Sequence, residues 1–132
     1  MGKGQISMEY ISLTSIILLV VGIMFAFAAV TINENTRFNS AYYAVSILAN
    51  AADEVSTRNG SVIVAEVELP SGIISFSTFK NEVIIEMNSA VSAYNVYEYS
   101  KASLEPTNFS TDEGTHFIAV QSTDTNITFT EI

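Results

Sequence analysis

Residues 11–32 read ISLTSIILLVVGIMFAFAAVTI, and this stretch decides the fold of the N-terminal part of the chain. It runs for 22 residues without a charged residue or a proline. A helix of that length is about 33 Å long, close to the hydrocarbon thickness of a lipid bilayer. The stretch therefore predicts a membrane-spanning helix, with Glu9 as the nearest charge before it and Glu34 as the nearest after it.

Three interpretations of this apolar stretch compete. It could be a plain membrane anchor, or an assembly helix that sits first in the membrane and later in a protein polymer. It could also be a secretory signal, because Ala26-Phe27-Ala28 fits the small-x-small pattern of a cleavage site and would release a soluble domain after Ala28. Glu9 offsets Lys3 in what would be the positive region of a signal, and the stretch is longer than a usual signal core, so both features weaken the secretory interpretation.

The overall composition of the chain is strongly acidic and lacks cysteine. The 132 residues include 5 Lys and Arg against 14 Asp and Glu, which gives a net charge of -9. An acidic surface repels phosphate backbones, so we expect no nucleic-acid partner. The chain has no cysteine, which excludes disulfides and thiolate metal sites.

The segment ahead of the apolar stretch carries a short motif. Residues 3–10 read KGQISMEY, a string that resembles the class III signal of archaeal type IV pilin-like precursors. The resemblance implies that a prepilin peptidase removes residues 1–4 by cutting between Gly4 and Gln5. Gln5 would then be the first mature residue, and Glu9 the fifth.

The same resemblance implies how the mature chain assembles. Glu9 would meet the N-terminal amine of a neighbouring copy inside a helical filament of identical subunits. A charge pair in a low-dielectric core is attractive, and either charge alone would be costly, so the pair selects the axial register. The implied partners are the prepilin peptidase, the pilus assembly platform, the membrane before assembly, and other copies of this chain.

The helix is predicted to continue beyond the membrane segment. No proline or glycine occurs over 33–57, and Arg58-Asn59-Gly60 is a typical stop signal. We therefore predict one long helix over 5–57, with the polar cluster 33–36 as the place for a break. Apolar residues recur at three- and four-residue steps and form one face. That face comprises Phe38, Ala41, Tyr42, Val45, Leu48, Ala49, Ala52 and Val55.

Beyond Gly60 the apolar period changes to the alternation of strands. We predict a β-rich extracellular head over 58–132, whose first three strands form a meander. The fold class is therefore α+β, with a protruding apolar half-helix and an amphipathic half packed on a small antiparallel β-sheet domain, and this architecture resembles that of pilins. The predicted strands are 61–69, 73–80, 83–87, 90–99, 116–122 and 127–132.

Few residues suggest catalysis or metal binding. His116 is the only histidine, and it has no partner nearby in the sequence, so we interpret it as an ordinary strand-edge residue. Glu66 and Glu68 share a strand face. The loop acids Asp112, Glu113 and Asp124 could approach one another, but they lack calcium-loop spacing, and we favour a solvated acidic surface over a metal site. We predict no enzyme activity, no metal and no cofactor.

Two further features of the sequence concern the surface, namely three N-glycosylation sequons and five tyrosines. Asn59, Asn108 and Asn126 begin N-glycosylation sequons, all after the apolar stretch and all near predicted turns. Five tyrosines could form an exposed aromatic stripe, although packing in the core or between helix and sheet is the commoner role and the one we favour. They are Tyr42, Tyr43, Tyr94, Tyr97 and Tyr99.

These observations lead to one main functional hypothesis. The chain is expected to be a structural subunit of an archaeal type IV pilus-like surface filament, made as a membrane-held precursor, with adhesion to surfaces as its expected role. The alternative is a single-pass, membrane-anchored surface protein whose extracellular β-domain binds a ligand. The predicted length of the helix over 5–57, about 80 Å, favours the filament, since a simple anchor needs no such length.

Overall fold

The computed structural model describes residues 3–132. Helix α1 covers Lys3–Ser56 and confirms the predicted long N-terminal helix. The backbone remains helical through 33–36, so the predicted break is not seen there. That polar cluster does contain the boundary between two compact units, which falls between Asn35 and Thr36.

The first part of α1 and its last part have different environments. Every residue from Lys3 to Asn33 is exposed. From Ala41 onwards, small and branched apolar residues are buried at helical spacing, which confirms the predicted packing face except at Phe38 and Tyr42, both 43% exposed. The buried helix residues are Ala41, Ala44, Val45, Leu48, Ala49, Ala51, Ala52 and Val55.

Seven strands follow the helix and form two antiparallel sheets, so the fold is α+β as predicted. One sheet has three strands in the order β1-β6-β7, and the other has four in the order β4-β3-β2-β5. One hydrophobic core contains buried residues of the helix and of both sheets. The strands are β1 (Val62–Leu69), β2 (Ile73–Phe79), β3 (Glu82–Asn88), β4 (Ala93–Tyr99), β5 (Thr107–Asn108), β6 (Gly114–Ser122) and β7 (Ile127–Glu131).

The predicted meander of the first three strands is wrong. β1 pairs with β6, and the meander consists of β2, β3 and β4 instead. The turn Pro70-Ser71-Gly72, which fills the gap between the predicted strands 61–69 and 73–80, ends β1, with Gly72 at a φ of 83°. Because that turn leads from one sheet to the other, β1 and β2 do not form a hairpin.

The hairpin between β2 and β3 also differs slightly from the prediction. The predicted strands 73–80 and 83–87 leave Asn81 and Glu82 between them, whereas the strands pair up to Phe79 and Glu82, so the turn residues are Lys80 and Asn81. Lys80 has a φ of 57°, in the left-handed region that hairpin turns require. The segment between the predicted strands 90–99 and 116–122, for which no strand is predicted, contains the short strand β5.

Side-chain caps join the end of α1 to the β domain. Asp53 accepts hydrogen bonds from the Ser100 hydroxyl at 2.6 Å and from the Lys101 backbone N–H at 2.7 Å. The Ser61 hydroxyl lies 2.7 Å from the backbone carbonyl oxygen of Arg58 and 3.1 Å from that of Val55, and its one hydrogen can be donated to either. The acid near the helix C-terminus, which the macrodipole disfavours, is thus bonded to donors of the loop that follows β4.

Candidate functional site

The apolar part of α1 is the most prominent candidate. It is long and apolar enough to cross a membrane, and its side chains are exposed. Its polar side chains also suit a lipid environment, where an unsatisfied donor is costly. Each of four hydroxyls donates to the carbonyl four residues earlier, at distances of 2.8 to 3.0 Å; they belong to Ser12, Thr14, Ser15 and Thr31.

The predicted processing and assembly residues lie at the start of this helix. Gly4 and Gln5 are in its first two turns, and Glu9 is exposed just before the apolar stretch. Within residues 3–132 the Glu9 carboxylate has no hydrogen bond or ion pair. The cleavage between Gly4 and Gln5 and the assembly role of Glu9 remain predictions.

A cluster around His116 is the main polar constellation of the β domain. The imidazole Nδ1 lies 2.6 Å from Glu131 Oε1, and Nε2 lies 2.8 Å from the backbone carbonyl oxygen of Asp112. The other Glu131 oxygen accepts from the Ser110 backbone N–H at 3.0 Å. Since both ring nitrogens face acceptors, the imidazolium, which donates from both, satisfies this geometry.

The contacts within this cluster shift the pKa values of His116 and Glu131. Burial lowers the pKa of His116, but the hydrogen bonds to Glu131 and to the Asp112 carbonyl outweigh it, so the pKa is raised above its ordinary value. The Ser110 backbone N–H lowers the pKa of Glu131, burial opposes this, and His116 lowers it further. Both shifts favour the charged forms, the imidazolium of His116 and the carboxylate of Glu131.

The interpretation of His116 as an ordinary strand-edge residue is wrong. It lies in β6, the central strand of its sheet, and its partner Glu131 is 15 residues later in β7. The arrangement also differs from a nucleophile-base pair. Nε2 is directed at a carbonyl, and the nearby Ser110 hydroxyl bonds Asp112 instead, at 3.3 Å. The cluster joins the loop before β6 to the end of β7.

The acidic residues do not converge. Asp112 precedes β6 and Asp124 follows it, so a strand of about 27 Å separates these two acids. The approach of all three loop acids, considered as a possible metal site, is therefore not found. Among residues 3–132, no group of three or more His, Asp or Glu side chains could hold a metal ion. Glu66 and Glu68 are exposed on β1 and line an open groove of about 320 Å³ beside Tyr43.

The three sequon asparagines differ in their surroundings. The Asn59 amide donates to the Asp124 carboxylate at 2.5 Å. Asn126 is half-buried in the turn between β6 and β7, where its backbone bonds Thr123. Asn108 is exposed on β5, and its side chain makes no hydrogen bond within residues 3–132. Asn108 is thus the sequon whose side chain is both exposed and unbonded.

The favoured packing in the core or between helix and sheet is wrong for Tyr43, Tyr97 and Tyr99, whereas Tyr42 is exposed but contacts the sheet, its hydroxyl 3.4 Å from the Glu98 carboxylate of β4. Tyr42, Tyr43, Tyr97 and Tyr99 are between 43% and 66% exposed, and Tyr94 is partly buried against the core. Tyr97 and Tyr99 form an edge-to-face pair with ring centroids 5.5 Å apart. The Glu82 carboxylate across from Tyr99 raises the pKa of that phenol.

One structural contact was not predicted from the sequence. The Arg37 guanidinium donates to the backbone carbonyls of Ser71 and Asn88, each at 2.9 Å. Arg37 is the first basic residue after the apolar stretch, and this is the signal that could have suggested the contact. This side chain joins the helix to the turn after β1 and to the end of β3.

Comparisons of the chain with models of protein families, with curated proteins and with solved structures find no match.

Proposed function

We propose that this chain is the precursor of a structural subunit of an archaeal type IV pilus-like surface filament. It is held in the membrane by the apolar part of α1, cleaved between Gly4 and Gln5, and assembled through the same helix. The β domain faces the outside of the cell and contributes to attachment to surfaces. The peptidase, the assembly platform and other copies of the chain are its partners.

One observation carries this proposal. A single helix, Lys3–Ser56, begins with a fully exposed segment that has no charge from Tyr10 to Asn33 and ends as part of a hydrophobic core. An exposed apolar surface of this size needs lipid or protein around it. A helix that lies first in lipid and then among copies of itself meets that need in both states.

Glu9 provides the second argument. A carboxylate next to a membrane segment needs water or a positive partner. Cleavage before Gln5 creates a new amine four residues away in the sequence, and the amine of an adjacent subunit can approach Glu9 in a polymer. Copies meeting head to tail form the kind of interface that does not close, and such interfaces make filaments.

The deciding experiment is mass spectrometry of the N-terminus of the protein from its native host. A chain that begins at Gln5, with or without cyclisation of the glutamine, supports prepilin processing. A chain that begins at Ala29 means secretion as a soluble domain. An intact Met1 or Gly2 means a permanent anchor and contradicts the proposal.

Assembly is tested with variants of Glu9. Glu9→Gln should be cleaved normally but should form few filaments by electron microscopy, because the charge that pairs with the amine is lost. Glu9→Asp keeps the charge and should assemble better than Glu9→Gln. Glu54→Gln removes an exposed carboxylate elsewhere on α1 and is the matched control. Normal filaments from Glu9→Gln would contradict the register argument.

The alternative is a membrane-anchored surface protein whose β domain binds a ligand. The exposed Tyr97 and Tyr99 favour it, because aromatic rings on an open sheet face are typical of binding surfaces. An uncleaved N-terminus together with the absence of filaments would favour this alternative over a filament subunit.

A further inference from the structure

The outer face of the four-stranded sheet exposes a group of apolar side chains. Successive side chains of a strand point to opposite faces of the sheet. Phe76, Ile85 and Val96 point into the core, so the residues next to them in each strand point outward. The outward residues include three aromatic rings that are each about half exposed. We call the following residues the aromatic face: Phe79 at 53% exposure, Tyr97 at 51%, Tyr99 at 52%, and the half-buried Ile84.

Asn108 lies on the same face as these rings. The strand register places Tyr97 opposite Ile84, Ile84 opposite Ser77, and Ser77 opposite Asn108. Residues directly opposite one another share a face of the sheet. Neighbouring strands are about 4.8 Å apart, so the backbone of Asn108 is about 14 Å from that of Tyr97 across one row.

The local structure of β5 turns the asparagine side chain outward. The next residue, Phe109, is buried, with its ring centroid 4.5 Å from that of Phe76 in the core. Asn108 therefore points away from the core, as its exposure also indicates. The hydroxyl required by the sequon belongs to Ser110, which is half-buried beside Asp112.

We propose that Asn108 carries an N-linked glycan that lies across the aromatic face and covers it. This rests on the proposed function in one respect, namely that the β domain lies outside the cell. The side-chain nitrogen of Asn108 attacks the anomeric carbon of a phosphate-activated sugar. A C–N bond forms, the C–O bond to the phosphate breaks, and the amide nitrogen loses one proton.

The chemistry of the face suits a sugar. The C–H faces of sugar rings can lie flat on the rings of Phe79 and Tyr97, while their hydroxyls reach polar side chains between them. Glu82, Glu86 and Asn95 point outward in the neighbouring rows of the same face. Carboxylate oxygens accept hydrogen bonds from hydroxyl groups, so these side chains can bond the edges of the sugar rings.

A second copy of the chain fits this face less well. If two such faces met, Glu82 and Glu86 would bring two acids from each copy together, against one basic group beside the rings, Lys80, whose ammonium lies 5.4 Å from the centroid of the Phe79 ring. Like charges brought together in an interface are costly, and the chain already has a net charge of -9. A neutral sugar meets no such repulsion, and it is held beside the face by its bond to Asn108.

The test uses the full chain purified from its native host in detergent. Mass spectrometry of peptides reports whether Asn108 carries a sugar, and hydroxyl-radical footprinting reports the exposure of Tyr97 and Tyr99. We expect a sugar on Asn108. We expect Asn108→Gln to raise the labelling of both tyrosines about twofold or more, since rings that were covered become half exposed.

Two variants and one residue serve as controls. Asn126→Gln removes a sequon outside this sheet and should leave the labelling of Tyr97 and Tyr99 unchanged. Ser110→Thr keeps the sequon and should keep the protection. Tyr43, which lies on α1, is the internal reference and should label equally in all samples.

The proposal is overturned if Asn108 of the native protein is unmodified, or if it is modified and Asn108→Gln does not change the labelling. Protection that depends on protein concentration rather than on Asn108 would assign the face to a second copy and would also overturn it. The N-terminus of the same sample tests the proposed function separately. A chain that starts at Gln5 with a bare Asn108 would leave the filament proposal intact and reject this one.

Discussion

The charged pair of His116 and Glu131 should make the stability of the β domain depend on pH. The pKa of His116 is raised above its ordinary 6.5, so its contribution is complete below about pH 6.5 and is lost as the pH rises through the folded value. The pKa of Glu131 is lowered from 4.5, so its contribution is present above that pH and is lost as the pH falls through the folded value. The contribution of the pair is therefore largest between about pH 4.5 and 6.5.

The size of the effect follows from the contacts. A hydrogen bond between charged groups contributes about 1.5 to 3 kcal/mol. The side chains of His116 and Glu131 are 15% and 32% exposed, so solvent screens part of this energy. We therefore expect deprotonation of His116 to lower the free energy of unfolding by about 1 to 2 kcal/mol. For a domain of this size that corresponds to a fall in Tm of about 5 to 15 °C.

The assay is urea unfolding of the full chain in detergent at a series of pH values between 5 and 9. Unfolding is monitored by the circular dichroism of the tyrosine side chains. His116 is the only histidine, but the α-amino group also titrates in this range. His116→Gln is therefore the control, and its stability should be nearly constant over this range. Glu131→Gln should lower the pKa of His116 itself, measured by NMR of the imidazole protons.

Two outcomes would refute the reasoning. The first is a wild-type stability that does not fall between pH 6 and 9. The second is a His116→Gln variant that keeps the full dependence. Either result would mean that the contact of His116 with Glu131 and Asp112 does not stabilise the domain in solution.

Three further predictions concern the packing of α1 and the turns of the β domain. Leu48→Ala should lower the free energy of unfolding by about 2 to 5 kcal/mol, because Leu48 is fully buried, whereas Ile47→Ala should cost far less, since Ile47 is 39% exposed. Gly72→Ala should destabilise by about 1 to 3 kcal/mol, because its φ is 83° and a Cβ would collide with the Arg37 guanidinium; unchanged stability would contradict this contact. Asp53→Ala should cost about 1 to 3 kcal/mol, because it leaves two donors of the loop after β4 unbonded, and faster hydrogen exchange of the Lys101 amide would report it.

The parts of the fold that depend on local sequence were predictable. The apolar stretch 11–32 and the face that includes Val45 and Leu48 require no knowledge of distant residues, because helical spacing alone defines them. The end of α1 before Gly60 and the turn at Gly72 were also predictable, because glycine readily adopts the positive φ that both positions have. Six of the seven strands were predicted to within a few residues, because the alternation of apolar residues is also a local pattern, whereas the two-residue strand β5 was missed.

Strand pairing could not be derived in this way. Alternation shows which residues of β1 face inward, but it is the same whether β1 pairs with β2 or with β6. The turn after Leu69 contains the residues of a tight turn, yet it leads from one sheet to the other. Pairing between β1 and β6 depends on contacts across about 50 residues, and no local pattern encodes them.

The candidate sites show the same distinction between local sequence and contacts of distant residues. Gly4, Gln5, Glu9 and the sequons are linear motifs, so the sequence by itself determined where they are. The tertiary structure decided their environments, because exposure and register depend on residues far apart in the chain. It joined His116 to Glu131 across two strands, and it placed Asn108 in one row with Tyr97. Apolar periodicity is a property of neighbouring residues, whereas the faces and clusters of the β domain arise only when distant strands pair.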